Sequence, residues 1–597
     1  MPASRHVITM LLVAGVALAA CTTGLCQPPE KKLIEYGWDV PNPSFVAANI
    51  EKMEQRPFEG LIMRVPNIGS VFSNKKHSEE QVAGEFAALE QIEWSRFTDN
   101  FVIMYAASTM DWFSDEDWEC VLHNVGLCAK AARIGRCKGV CFDAEPYGNN
   151  PWHYPSQAHA DTKTFAEYQV QARQRGAQFM DRIQQEMPDA VIHTFFMFSY
   201  FSGLARQTDL EERDRQLSQQ HYALLPAFIN GMLDAAGEEI IITDGNESSY
   251  YYTDAQQFFR SFFDMRQTGL GMVVPENRRK YLAQVQCSQA LYVDHLMALR
   301  SQNYESAHMT PEECALWFQH NVYWALYTSD RYVWLYSEKM NWWNESELPE
   351  GLEGAVVGAK EQLAAGRPLG YDMKEIVTRA RKRADEEIRA RLGEKTADVP
   401  ALAQGERPPT IDGNLDDAVW QRVPSLSPFV PFATVDGDPE AQTQTKVAYD
   451  RENLYVAIQC AEPDMDKLSL VGSGRDSDVW LGDSVDLFFS AAVKERNPFH
   501  HIIVNPDGLR WDARQVEDST DKSWDPDYLV ATAQGADYWT VELAIPWEAL
   551  EISGPQSGTQ LAANVCRQRI PKRELTSWST CISGFQEPLR FGVWTLR

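Results

Sequence analysis

Between Lys32 and about Ser346 the chain repeats one unit: a short apolar run that reads as a strand, then a longer stretch with apolar residues at three- and four-residue spacing. The runs are LIEYGWD (33–39), GLIMRV (60–65), NFVIMYA (100–106), GVCFDAE (139–145), AVIHTFFMFSY (190–200), EIIITDG (239–245), QALYVDH (289–295) and YVWLYSE (332–338). Helical stretches such as EEQVAGEFAALEQIEW and FAEYQVQARQRGAQFMDRIQQEM lie between them. Eight strand-then-helix units in just over 300 residues are what a closed (β/α)8 barrel requires. A doubly wound open sheet is the competitor, but no Gly-rich phosphate loop follows the first strand. The expected class is α/β, with a TIM barrel over residues 30–370.

After Gly370 the texture changes twice. Residues 371–409 begin as a helix of mixed charge and end in a segment with Pro400, Pro408 and Pro409 that reads as a linker. From Thr410 to Arg597, short alternating runs such as KVAYD, LYVAIQCAE, SVDLFFS and WTVELAIPW are punctuated by Gly, Pro and Asp. That pattern predicts an all-β sandwich over 410–597.

Alternate side chains of a strand share a face. In GVCFDAE, Val140, Phe142 and Ala144 suit the helix-covered side, while Cys141, Asp143 and Glu145 point to the barrel axis. The acids lie at the C-terminal end, where barrel enzymes keep their sites. Two carboxylates about 7 Å apart on one face repel, which raises one pKa and keeps a proton for general acid work. We expect Glu145 to be that acid, tuned by Asp143, with Glu338 or Asp244 as nucleophile or base. The first strand offers Glu35, Gly37 and Asp39 on one face, and the second brings Arg64. Asp39, Arg64, Tyr147, Trp152, Trp334 and Trp342 are the expected substrate contacts, because carboxylates beside flat rings suit sugars. A structural salt-bridge cluster and simple aromatic packing are the competing explanations.

A formal net charge of −29 argues against a protein that grips nucleic-acid backbone. The first 26 residues carry Arg5, an apolar run from Val7 to Ala20 and small residues at its end, as an export signal does. The ten cysteines other than Cys21 show no CxxC pair or metal-ligand spacing, so buried free thiols are expected, with one or two unassigned disulfides open after export. No metal or other cofactor is required by the barrel residues.

Leu18-Ala19-Ala20-Cys21 resembles the bacterial lipoprotein signal, which implies a signal peptide over 1–21, lipidation of Cys21 and a cell-envelope protein of the outer membrane or cell surface. Without lipidation the protein would be secreted. The strand-end acids resemble glycoside hydrolase barrels. Asp143-x-Glu145 is similar to the Asp-x-Glu ending of chitinase-like families, though Gly139, Cys141 and Phe142 stand where those families carry further acids. EYGWDVPN, FDAEPYG and LYSEKMNWW resemble a group of exported bacterial barrel proteins from which no chemistry carries over. IDGNLDDAVW (411–420), DVWLGDSVDLFFS (478–490), WTVELAIPWEAL (539–550) and ELTSWST with LRFG (574–592) resemble the family 9 carbohydrate-binding modules. That resemblance implies sugar held by Trp480 and Trp578 with Asp486 on its hydroxyls, and Asp-rich loops that permit calcium without requiring it. The expected function is an exported, glycan-active glycoside hydrolase with an appended carbohydrate-binding module, acting on polysaccharide or oligosaccharide. The alternative is a non-catalytic glycan-binding surface lipoprotein.

Overall fold

The computed structural model describes residues 30–597 except 301–304, 345–347, 393–394, 433, 435–436, 494–497, 517–518 and 582–583. The export signal and Cys21 lie outside the described residues. Two compact units divide the chain: residues up to Arg300 with Met309–Val377, and Ser301–His308 with Thr378–Arg597.

In the first unit the strands are β1 (Lys32–Gly37), β2 (Gly60–Met63), β3 (Phe101–Tyr105), β4 (Gly139–Asp143), β5 (Val191–Thr194), β6 (Ile241–Asp244), β7 (Val285–Cys287), β8 (Gln289–Tyr292) and β9 (Tyr332–Ser337). They pair in the order β7-β6-β5-β4-β3-β2-β1-β9-β8. Every pairing is parallel, and only Ser288 separates β7 from β8. One strand position is thus broken in two, its first half bonded to β6 and its second to β9, and the nine-stranded barrel is nearly closed. The result is the expected (β/α)8 barrel.

Helices pack outside it, and four of them are started by a side chain that caps the first turn. Ser114 accepts from Asp117 N at the head of the 115–134 helix, and Thr164, Asp254 and Thr310 form capping boxes with Glu167, Gln257 and Glu313. Helices Phe165–Glu186 and Leu225–Ala235 touch backbone to backbone. A Cβ on Gly176 would stand 2.0 Å from Phe228 O, and one on Gly231 1.8 Å from Arg173 O, so neither position admits a side chain. Phe142 leans outward on Phe179 and Phe228 of these helices, with ring centroids at 5.0 and 5.9 Å. Its neighbours Cys141 and Asp143 therefore face the axis, as alternation requires. Inside the barrel Phe195 stacks on Trp334 at 4.1 Å, and Phe101, His193 and Tyr332 fill the layer below. Burial holds His193 down to about 3, so this ring is a neutral packing group.

The second unit is a sandwich of two sheets. One runs 396–399, 592–596, 560–569, 484–490, 499–504, 510–516, 519–521, and the other 425–426, 443–449, 453–461, 538–546, 529–534. Val485, Leu487 and Phe489 meet Val456, Ile458, Val541 and Leu543 between the sheets. Sequence reading placed a linker up to residue 409; instead Thr396–Val399 is a strand, bonded in parallel to 593–596. The sandwich thus begins about fourteen residues before Thr410. The apolar content of TADV is too low for alternation to reveal a strand whose partner lies at the far end of the chain.

Candidate functional site

Tyr105 is paired with Asp143 across the β3–β4 ladder, and both stand at the C-terminal rim. Chain beyond Asp143 turns at Pro146 and Gly148, and the turn folds Glu145 and Tyr147 back over the strand end. Glu145 N donates to Asp143 Oδ1 at 2.9 Å. The Tyr147 hydroxyl lies 3.1 Å from Asp143 Oδ2 and 2.9 Å from Glu145 Oε2, and so bridges the two acids. Asp143 is 1% exposed, and burial, reinforced by the charges of Glu145 and Glu247, pushes its carboxyl up to about 8. Glu145 is exposed. The expected proton store was Glu145; the strand end buries Asp143 and raises its pKa, while the loop lifts Glu145 into solvent. Tyr147 is itself held far above the ordinary phenol range by burial and by the two carboxylates.

A third acid completes the cluster. Asn246 takes a left-handed turn (φ 43°) after β6 and swings Glu247 toward the mouth. Burial and the Glu145 charge raise Glu247 to about 7, while a bond from Tyr250 opposes the shift. The Glu247 charge in turn reaches Tyr200, Tyr222 and Tyr250, which wall the same space. Asn-Glu after a strand is a weak signal in sequence, and Glu247 was missed there.

The other expected partners are occupied elsewhere. Asp244 accepts from Met197 N (3.0 Å) and Ser199 N (2.8 Å) and from the Ser199 hydroxyl, so it fastens the loop after β5. Glu338 does share a face with Tyr336 and reaches the rim, but Arg300 is paired with its Oε2 and the Tyr292 and Tyr336 hydroxyls stand 3.2 Å from its Oε1. Both carboxylates are engaged by protein donors. Tyr36 occupies the inward face of β1, 5.7 Å from Tyr336, so Glu35, Gly37 and Asp39 take the outer one. There Asp39 accepts from Trp342 N at 2.8 Å and is raised to about 6 by burial. Glu35 beside it is fully buried and pushed well above the carboxylate range by burial and by Asp39. This acid pair lies behind the strand, on the face away from the mouth.

Three of the expected sugar-stacking rings are core. Trp152 is fully buried among Phe72, Trp112 and Phe228 and donates to Ala144 O at 2.7 Å. Trp334 forms the floor beneath the mouth, and Trp342 packs edge-on against Phe58 at 4.7 Å. Large rings in an alternating pattern are core as often as surface, and only burial separates the two. Tyr147, at 54% exposure, remains at the rim, and exposed Arg64 acts on Tyr105 beside it. Trp38 (67% exposed) and Tyr200 (48%) are rim aromatics that sequence reading did not select, and Tyr251 (50%) is a third exposed ring. Trp38 bonds the Tyr336 hydroxyl, and Lys339 lies 5.5 Å over its ring.

The sandwich has its own cleft, of about 630 Å³. Val485, Leu487 and Phe489 point into the core, which leaves Asp486 on the outer face, in register with Ile503. Ile503 is in turn opposite Trp511. Trp480 meets Trp511 edge-on at 5.6 Å, Asp486 is bonded to His501 Nε2 at 2.7 Å, and Phe585 and Glu587 line the opposite wall. Trp480 and Asp486 therefore come together as expected. Trp578 does not: it is 2% exposed, against Trp594 in the core. Trp511 is the cleft's second indole, and strand register from Asp486 would have identified it. Among the described residues no cluster of three or more His, Cys, Asp or Glu side chains is arranged to hold a metal ion. Among them, too, no helix is long and apolar enough to cross a membrane.

Residues 411–597 match the family described as carbohydrate family 9 binding domain-like. A family 9 carbohydrate-binding module from Caldicellulosiruptor kristjanssonii, solved with glucose, is similar at 19% identity and a TM-score of 0.25, over 34% of this chain and 96% of that one. A GH18 chitinase from Pseudoalteromonas aurantia is similar at 12% identity and a TM-score of 0.27, over 55% of this chain and 100% of that one. A Bacteroidetes-affiliated GH5 cellulase is similar at 10% identity and a TM-score of 0.31, over 59% and 95%. No curated protein matches the chain.

Proposed function

We propose that the barrel hydrolyses O-glycosyl bonds and that the sandwich holds the glycan being cut. The observation that carries the first half is the Asp143–Tyr147–Glu145 bridge, with Glu247 facing it. A glycosidase needs one carboxyl that brings a proton to the leaving oxygen and a second carboxylate on the other side of the bond. Glu145, exposed at the rim, gives its proton to the leaving oxygen. Tyr147 then passes its own proton to Glu145 Oε2 and takes one from Asp143 Oδ2, along the contacts of 2.9 and 3.1 Å. Glu247 acts as nucleophile or as base toward water. Tyr147, Tyr200, Tyr251 and Trp38 supply ring faces for the C–H surfaces of sugar units.

For the sandwich, the family match over 411–597 and the cleft of Trp480, Trp511 and Asp486 support sugar binding. Glucose and cellotriose are the first probes. Reducing-end release from a panel of polysaccharides by the full chain tests the reading. Binding without release would make the protein a glycan-capture protein instead. We also propose that Cys21 carries a lipid anchor and that the protein is exported to the cell envelope. Cys21→Ser should then move the protein from the membrane fraction to the soluble one, and unchanged fractionation would remove the anchor.

A further inference from the structure

We propose that Cys566 and Cys581 close a disulfide that fixes one wall of the sandwich cleft. Both thiols are fully buried, and their Sγ atoms stand 3.9 Å apart. Cys566 lies in the 560–569 strand, held by ladders on both sides: it is opposite Asp486 on one and Ser577 on the other. The first of those partners is the cleft's own carboxylate. Cys581 follows the end of the 574–577 strand, and the chain it leads into supplies Gly584, Phe585, Gln586 and Glu587 to the cleft. Its Sγ sits 3.9 Å from Phe585 O, and both cysteines share a small apolar cluster with Phe488, Phe499 and Phe591. Cys566 is thus rigid, and Cys581 begins the wall.

An S–S bond of about 2 Å needs the sulfurs to close by about 2 Å, a distance that side-chain rotation at the two cysteines can supply. The exchange is balanced by an external small-molecule disulfide. One cysteine thiolate attacks it and expels one thiol; the second thiolate attacks the mixed disulfide and expels the other. The two cysteines lose two protons and two electrons, and the external disulfide becomes two thiols. The bond then ties the segment carrying Phe585 and Glu587 to the strand beside Asp486. A wall fixed before the sugar arrives spares the ordering cost of binding.

The bond itself stands on thiol geometry, whereas its effect on affinity rests on the sugar-cleft reading above. The test compares full-length protein made in an oxidising compartment with the same protein after phosphine reduction. Each sample is acid-quenched, alkylated in denaturant, digested and weighed. The oxidised sample should yield the Cys566 and Cys581 peptides as one linked species, lighter by two hydrogens than their sum. Cellotriose titration should show affinity about tenfold weaker after reduction, and Cys581→Ser should give that weaker value with or without phosphine. Recovery of both cysteines as separately alkylated peptides from the oxidised sample would overturn the bond. A linked species with equal cellotriose affinity in both redox states would overturn the wall-fixing role. If neither state binds cellotriose or glucose, the sugar-cleft reading fails by itself, and the peptide masses still decide the bond.

Discussion

The backbone N–H of Glu145 donates to Oδ1 of Asp143 at 2.9 Å, so the exposed residue holds the buried carboxyl in place. In the proposed mechanism these two near neighbours in sequence divide a task between depth and access. Depth raises the pKa, and access lets the proton reach a ligand.

Tyr147→Phe should separate the two. The ring stays and the bridge of 2.9 and 3.1 Å is lost. Turnover should fall by about 10- to 100-fold with KM little changed, because proton resupply is impaired while binding is not. A change confined to KM would mean that Tyr147 only contacts substrate.

The pH dependence follows from Asp143 and Glu247. The proposed mechanism needs Glu247 ionised and Asp143 protonated, so kcat/KM should rise through about 7 and fall through about 8. The acids interact, and these limbs belong to the cluster as a whole. Glu247→Gln should cut turnover severely and abolish the acidic limb of what remains. Glu338→Gln should leave turnover within about tenfold of wild type, since that carboxylate is engaged with Arg300 and two tyrosines. A larger loss in Glu338→Gln than in Glu247→Gln would reverse the assignment.

Stability carries the same signature with a definite sign. The folded-state pKa of Asp143, about 8, lies above the ordinary carboxyl value of 3.8. Its contribution is therefore fully present below about 3.8 and is lost as pH rises toward about 8. Asp143→Asn keeps the shape and removes the titration. Its Tm relative to wild type should be higher at pH 8 than at pH 5, by roughly 10 °C, a difference of about 4 kcal/mol carrying about 2–4 °C per kcal/mol. Parallel Tm curves for the two proteins would contradict the buried, raised carboxyl.

In the sandwich, Trp480→Ala and Trp511→Ala should each weaken cellotriose binding by about 3- to 10-fold, the loss of one ring contact, while the fold persists. Trp578→Ala should instead destabilise by about 3–5 kcal/mol, since it empties a core site against Trp594. Calorimetry and thermal melts distinguish the two outcomes. A Trp578→Ala protein of normal stability with lost binding would restore Trp578 to the site.

Period alone located eight of the nine barrel strands, missing the three-residue Val285–Cys287, and the alternation in GVCFDAE correctly turned Asp143 inward and Phe142 outward. What period cannot supply is depth. Asp143 and Glu145 look equivalent in sequence, yet a turn two residues long buries one and exposes the other. The same limit explains Trp152, Trp334 and Trp342: each follows a strand end or lies in one, and each is sealed by chain from distant elements. Glu247 and Trp38 escaped notice for the opposite reason, since they stand alone just past their strands in loops with no period. Asp244 was legible as a strand-end acid, but its donors, Met197 N, Ser199 N and the Ser199 hydroxyl, come from the neighbouring loop and leave no trace in the local pattern.

Reducing-end release by Glu145→Gln beside wild type tests the central claim most directly. The substrate should be whichever glycan of the panel wild type cuts fastest, with an unactivated leaving group. The substitution keeps the side chain's shape and removes the proton donor, so release should fall by about 10²- to 10⁴-fold, with cellotriose binding by the sandwich unchanged. Equal release by the two proteins, or no release by wild type from any glycan that it binds, would contradict it.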